Sequence, residues 1–273
     1  MQALYNWPTT YNIKNYINPD GSQHRIYAGT VALEDDIDNP YWIINEDNLT
    51  SKTNRFTGGI NGNYKITNWW DITGRVGYDQ YTTNDYTYIA PGSAVIPQNQ
   101  NGQFSKDMVN YTYITTTVMT NFHKTIKDFD THLLLGTTSD NFNTNVQNLW
   151  GWNFSTPGTI SLNSIDLANK QFSDNTTRRR LVGVFGEVGV SYKDLVYLTA
   201  TGRNDWSSTL PVENLADFYP SLSGSFVFSQ LLPANNILSF GKLRASWARV
   251  GKDANAYATN TYETPTVTIL AGN

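Results

Sequence analysis

The sequence contains no cysteine. That excludes disulfides, thiolate metal sites and cysteine nucleophiles. Charged residues are only 15% of the chain and the net charge is −4, so there is no basic footprint for nucleic acid. No apolar run approaches the roughly 18 residues of a membrane-spanning helix. A membrane barrel is untouched by that absence, because its signal per strand is much weaker. Histidine is scarce: His24, His123 and His132 are all there are, and none forms an HExxH pair. There is no Gly-x-Ser-x-Gly elbow. Gly241-Lys242 and Gly251-Lys252 continue into Leu243 and Asp253, so neither is a phosphate loop. No enzyme, cofactor or metal centre is expected. The opening MQALYNWPTTYNIKNY lacks a basic segment followed by an apolar core, so it is not a secretory signal peptide.

What is present suits β-structure. Aromatics are 14% of the 273 residues, with 17 Tyr and 8 Trp. The most informative stretch is LVGVFGEVGVSYKDLVYLTATGRNDW, two alternating strands joined at Lys193-Asp194. From Val182 to Tyr192 one face reads Val182, Val184, Gly186, Val188, Val190, Tyr192. The opposite face reads Leu181, Gly183, Phe185, Glu187, Gly189, Ser191. Period-two alternation over that length predicts a strand with one apolar and one more polar face. It is long for a soluble protein, where about 5–6 residues is usual, and right for a tilted membrane strand of roughly 9–11.

Alternation predicts five further strands. They place Phe56, Ile60, Tyr64 and Ile66 on one face, then Trp70, Ile72, Val76 and Tyr78, and then Val196, Leu198 and Ala200. Leu222, Phe226 and Phe228 follow, and then Leu243, Ala245 and Trp247. Residues 109–123 and 131–141 read as two less regular strands. Short connections fall near Thr67-Asn68, Lys124–Asp130, Lys193-Asp194 and Leu231–Leu238, and long ones near 82–107, 142–178 and 205–217. Short alternating with long is the pattern of an up-and-down outer-membrane barrel. Residues 1–52 contain Pro8, Pro19, Pro40 and no clear strand, and read as an external loop region.

Several stretches together carry a family resemblance. They are RRRLVGVFGEVGVSYKDLVYLTATGRNDWSSTLP (178–211), FYPSLSGSFVFSQ (218–230), LSFGKLRASWARVGKDA (238–254), NPYWIINEDN (39–48) and RFTGGINGNYKITNWWDITGRVGYD (55–79). In that order they resemble the SusC/RagA family of TonB-dependent outer-membrane transporters. The resemblance implies an all-β, transmembrane, antiparallel up-and-down β-barrel of about 22 strands with a plugged lumen. About eight of those strands are expected here, with long extracellular loops. It also implies import of oligosaccharides or peptides, a SusD-like surface lipoprotein partner, energy from TonB, and an outer-membrane location in a Bacteroidetes-like Gram-negative cell. Signal peptide, plug and TonB-contacting segment are not found in the sequence, so an internal piece is expected. It divides as an external region 1–52, a barrel wall 53–254 and the start of another external loop at 255–273. The alternatives are a small eight-stranded barrel with a structural or adhesive role, and a soluble carbohydrate-binding β protein.

Candidate site residues follow. Trp150 and Trp152 fall in a long connection and offer faces for a sugar ring, or anchor the loop. Arg203, Asn204, Asp205 and Trp206 are the family-like signature and read as structural, serving local backbone bonds where a strand enters a turn. Arg178-Arg179-Arg180 begins a strand at its outer end, within reach of outer-membrane lipid or lipopolysaccharide phosphates. Trp69, Trp70, Tyr192, Tyr197, Phe228 and Phe240 lie near the short turns, where an interfacial girdle is expected. Glu34, Asp35, Asp36 and Asp38 read as a solvated acidic loop, since their spacing does not match an EF-hand.

Overall fold

The alternating segments become strands in the computed structural model, which describes residues 2–26, 37–93, 101–156, 158–211, 213, 215–233 and 238–258. Eight strands follow in order: β1 (Asn48–Thr67), β2 (Trp70–Ile89), β3 (Gln103–Ile126), β4 (Phe129–Trp152), β5 (Lys170–Tyr192), β6 (Val196–Ser207), β7 (Ala216–Phe226) and β8 (Leu243–Ala248). They form one sheet in strict sequence order, and β1 and β8 are not neighbours in it. An eight-stranded barrel closed on itself is therefore not what these residues form. Two short helices precede the sheet, α1 (Gln2–Asn6) and α2 (Pro40–Glu46).

Several strands run further than alternation predicts. The long connections shrink to residues 90–102, 153–169 and 208–215. The added lengths mix polar, aromatic and scattered aliphatic residues on both faces, so they show no clear apolar face to read. The first short turn falls at Asn68–Trp69 and the second at Lys127–Asp128. In the third, Lys193 (φ 49°) and Asp194 (φ 56°) both take the left-handed conformation that a type I′ hairpin needs. The fourth connection is longer than expected. β7 stops at Phe226, Val227 is buried with its N–H on Leu195 O (2.8 Å), and Phe228–Leu231 makes a 3-10 turn.

The chain divides into two units. The first comprises Met1–Phe56, Gln80–Tyr111 and Thr144–Thr176. Its strand segments are tied by side-chain ladders. Asn145 Nδ2 donates to Asp174 (2.6 Å) and to Thr176 Oγ1 (3.0 Å), and Thr82 Oγ1 donates to Asn110 (2.8 Å). Tyr81 stacks on Tyr111 at 4.8 Å and Tyr86 meets Phe104 edge-on at 5.3 Å. The motif NPYWIINEDN forms α2, with Asn39 capping it by accepting from Tyr41 N (2.8 Å), Pro40 in the first turn and Trp42 buried.

The second unit comprises Thr57–Asp79, Thr112–Asn143 and Thr177–Asn273. Its register shows the two faces directly. One row runs Val188, Ala200, Leu222, Trp247, and the next runs Val190, Leu198, Gly224, Ala245. The rows between them run Glu187, Thr201, Ser221, Ala248 and Gly189, Thr199, Ser223, Ser246. The apolar rows are the exposed ones: Leu198 is 57% exposed, Leu222 56% and Trp247 62%. A water-soluble sheet buries such a face, and a lipid-facing sheet leaves it outward.

Candidate functional site

The polar face of the second unit carries several hydrogen-bonded groups. Asn63 donates to Asp71 and Thr73 (both 2.9 Å), and Asn121 donates to the same Asp71 carboxylate (2.9 Å). Tyr113 donates to Asp140 (2.8 Å), and Thr201 pairs with Ser221. His132 Nε2 lies 3.0 Å from Glu187 Oε1. His132 reaches Glu187 across Gly189, where a Cβ would run into the imidazole.

The signature residues are the last residues of β6 before Ser207, next to the turn that follows at Ser208. Their alternation divides them. Arg203 and Asp205 share the polar face with Phe185, and Asn204 and Trp206 share the apolar face with Val184 and Val182. Arg203 Nε donates to both oxygens of Asp205 (2.7 and 2.8 Å), and its outer nitrogen donates to Thr138 Oγ1 (3.0 Å). The guanidinium also lies over the Phe185 ring, 5.7 Å from its centroid. Gly183 is required there, because a Cβ would collide with both Asp205 and Arg203. An i, i+2 pair on one strand face is legible in the sequence. Thr138, on another strand, is not.

Of the girdle candidates, Trp69, Trp70 and Tyr192 gather at the turn end. Trp70 stacks on Phe122 at 5.6 Å and donates Nε1 to Thr120 (2.7 Å). Trp69 lies 6.2 Å from both Trp70 and Phe122. Tyr192 packs on Phe129 at 4.8 Å. Tyr197 instead belongs to the polar rows, opposite Ser191 and Ser225, with Lys242 4.6 Å over its ring. Phe228 leaves the strand for the 3-10 turn and contacts Gly241.

The arginine triplet is split in the same way. Arg179 turns to Asp253, binding it bidentately (2.8 and 3.0 Å) above the Phe142 ring. Ser207 and Thr209 add hydrogen bonds to the same carboxylate (2.7 and 3.2 Å). Burial alone pushes the Asp253 carboxyl up. The Ser207 hydroxyl, the Arg179 charge and the remaining hydrogen bonds outweigh it and hold the group below the usual carboxylate range. Arg180 Nε donates to Asn141 (2.7 Å), and Arg178 is exposed. Asp253 and Asn141 had no sequence signal as partners.

In the first unit Trp150 and Trp152 are not loop residues but end β4, with their rings tilted against each other at 4.6 Å. Trp150 Nε1 is buried with no partner among the described residues. Asp38 is buried and accepts from Ser93 Oγ, while Glu34, Asp35 and Asp36 lie outside the described residues. Asp47 accepts from Ala90 N (2.8 Å). Burial, with the nearby charges of Asp38 and Glu46, pushes its carboxyl up to about 6 against the pull of that N–H. No cluster of three metal-ligating side chains occurs among the described residues. No helix is long and apolar enough to cross a membrane, which says nothing of a β-barrel.

A sequential antiparallel sheet with an exposed apolar face and a hydrogen-bonded polar face is the class of structure that outer-membrane barrel walls define. The family described as TonB dependent receptor-like, β-barrel, matches residues 3–273. The chain belongs to that family, and membership implies an outer-membrane location. TonB-dependent receptor P26 of Formosa agariphila is 31% identical over 99 residues, 36% of this chain and 10% of that protein. The RagAB peptide transporter superposes with a TM-score of 0.71 at 14% identity, covering 84% of this chain and 26% of that one. The RagAB peptide importer in its open-open state gives 0.70 at 15% identity, with the same coverage. The chain thus spans about a quarter of the solved structures it resembles and a tenth of the curated relative. These likenesses support the SusC/RagA resemblance, and the family is one of transporters, not enzymes.

Proposed function

We propose that this chain forms part of the barrel wall of a TonB-dependent outer-membrane transporter that imports oligosaccharides or peptides. The observation that carries this reading is the separation of faces. Leu198, Leu222 and Trp247 stand exposed on one side, and Ser221, Thr201, Arg203 and Asp205 form hydrogen-bonded pairs, with Ser223 beside them, on the other. The apolar side meets lipid, and the polar side lines a wet lumen. RagAB is named a peptide transporter, which supports the peptide half of the substrate class. A SusD-like lipoprotein as partner, TonB as energy source and a Bacteroidetes-like cell complete the reading. Residues 1–52 and 255–273 belong to the external side and 53–254 to the wall.

Within this wall Arg203 and Asp205 hold β6 to its neighbours and do not touch substrate. Trp150 and Trp152 present ring faces to a sugar at the external end. The test is uptake of labelled peptide and oligosaccharide pools by cells with and without the gene, repeated with TonB removed. Import that needs both is expected. Import that persists without the gene overturns the assignment.

A further inference from the structure

The apolar belt has a sharp upper boundary on β5. Val182, Val184, Val188, Val190 and Tyr192 occupy one face, and the next two residues on that face are Arg180 and Arg178. From Val182 to Tyr192 the strand advances by roughly 33 Å. At a tilt of about 45° that is a depth of about 24 Å, the height of a barrel's apolar band. Arg180 then stands about 5 Å above the band and Arg178 about as far again, which is headgroup depth. Both lie inside β5, which continues beyond them to Lys170, on the side away from the short Lys193-Asp194 turn.

Around them is an open depression of about 500 Å³. Its lining includes Thr112, Ile114, Asn141, Asn143, Arg178 and Arg180. Ile114 is exposed, as is Val118 further towards the turn, so the depression joins an apolar surface below and two cations above. Asn141 holds Arg180 by its Nε (2.7 Å), which fixes the plane of the guanidinium and leaves the outer nitrogens to donate. Arg179 is committed to Asp253, so its charge is already balanced. Among the described residues no carboxylate forms a salt bridge with Arg178 or Arg180.

We propose that Arg178 and Arg180, positioned by Asn141, bind the phosphate of an outer-leaflet glycolipid headgroup whose acyl chain lies along Ile114. Two forked guanidiniums at headgroup depth match a phosphate's oxygens in geometry and charge. The assignment rests on the membrane reading above, in which the long-connection end of the sheet is external.

The test uses the full-length protein in detergent, titrated with lipid A, with dephosphorylated lipid A and with inorganic phosphate. The readouts are thermal stability and the number of lipids retained in native mass spectrometry. Lipid A is expected to protect the wild type. Arg178→Gln/Arg180→Gln is expected to weaken that protection about tenfold or more, as the loss of charge-assisted hydrogen bonds requires. Arg178→Lys/Arg180→Lys, which keeps charge but not the fork, should fall between and shows that the site tolerates substitution. Equal lipid A binding by wild type and the Gln variant overturns the proposal. So does equal protection by dephosphorylated lipid, or by phosphate alone, which would mean a free-anion site. Fractionation of the wild type is read first: a protein soluble without detergent defeats the membrane reading itself, whereas a membrane-embedded one with no lipid preference defeats only this site.

Discussion

Leu222 and Ser223 are neighbours in the chain and opposites in environment. Leu222 sits in the apolar row between Ala200 and Trp247, and Ser223 in the polar row between Thr199 and Ser246. Leu222 shares the row of Val188, near the middle of the apolar stretch that ends at Tyr192. An arginine at that depth on a lipid face costs about 2–4 kcal/mol. In folding equilibrium that is roughly 30- to 1,000-fold. Ser223→Arg places the same charge on the hydrated face, where the change stays within about 0.5 kcal/mol of wild type. The assay is urea-titrated folding of the full-length protein into lipid vesicles, with heat-modifiable mobility in outer membranes as a cellular check. The expected order is wild type close to Ser223→Arg, with Leu222→Arg far below. In a soluble protein the order would not appear, because Leu222 is 56% exposed and an arginine there would be neutral or better. Equal tolerance of both variants therefore refutes the assignment of faces.

Other predictions concern the polar contacts. Arg203→Met strips Asp205 and Thr138 of their donor and should lower stability by about 1–2 kcal/mol in the same titration, with the apparent affinity for substrate unchanged. Asp253 has a lowered carboxyl, so its contribution is present above the ordinary carboxylate range and is lost as pH falls through its own value. Amide protection over 249–258, taken relative to the intrinsic exchange rate at each pH, should fall in acid, and Asp253→Asn should lower it at neutral pH. Asp47 has the opposite sign. Its carboxyl is raised to about 6 by burial, so folding around it is most stable below about 4 and loses stability as pH rises through about 6, even though the Ala90 N–H favours the charged form. Stability to urea should therefore fall between pH 4.5 and pH 7 through this group, and Asp47→Asn should remove that part of the pH dependence. Trp150→Ala/Trp152→Ala should weaken sugar capture without loss of outer-membrane assembly, and unchanged capture removes those rings from the ligand site.

The lower parts of the strands were legible in the sequence because one face there must be apolar. The alternation of Val182 through Tyr192 matches the register against Leu198, Ala200 and Val196 row by row. The upper parts were not legible. Thr82 to Ile89, Gln103 to Met108 and Thr144 to Trp152 are mostly polar or aromatic with a few scattered aliphatics, so no clear apolar face is visible and the segments read as loops. They are strands because side-chain pairs such as Asn145–Asp174 and Tyr81–Tyr111 stitch them, and such pairs are visible only once the register is known. Alternation also marks Arg178 and Arg180 as sharing a face. The partner Asn141 lies 39 residues away from Arg180 and gave no sign.

The strict sequential order of the sheet bears on how the chain folds. Every strand from β1 to β8 pairs only with the strands next to it in sequence. Contacts are therefore local for an all-β protein, and local contacts shorten the search. Such an order lets each hairpin lay its second strand on a neighbour already in place. The turn at Lys193-Asp194 is one such step, held by positive φ at both residues and by the Lys193 N–H on Asp128 O (2.9 Å) of the neighbouring turn. A residue unable to take that conformation would interrupt that order of pairing there, leaving β5 as an open edge and stranding β6, β7 and β8 behind it.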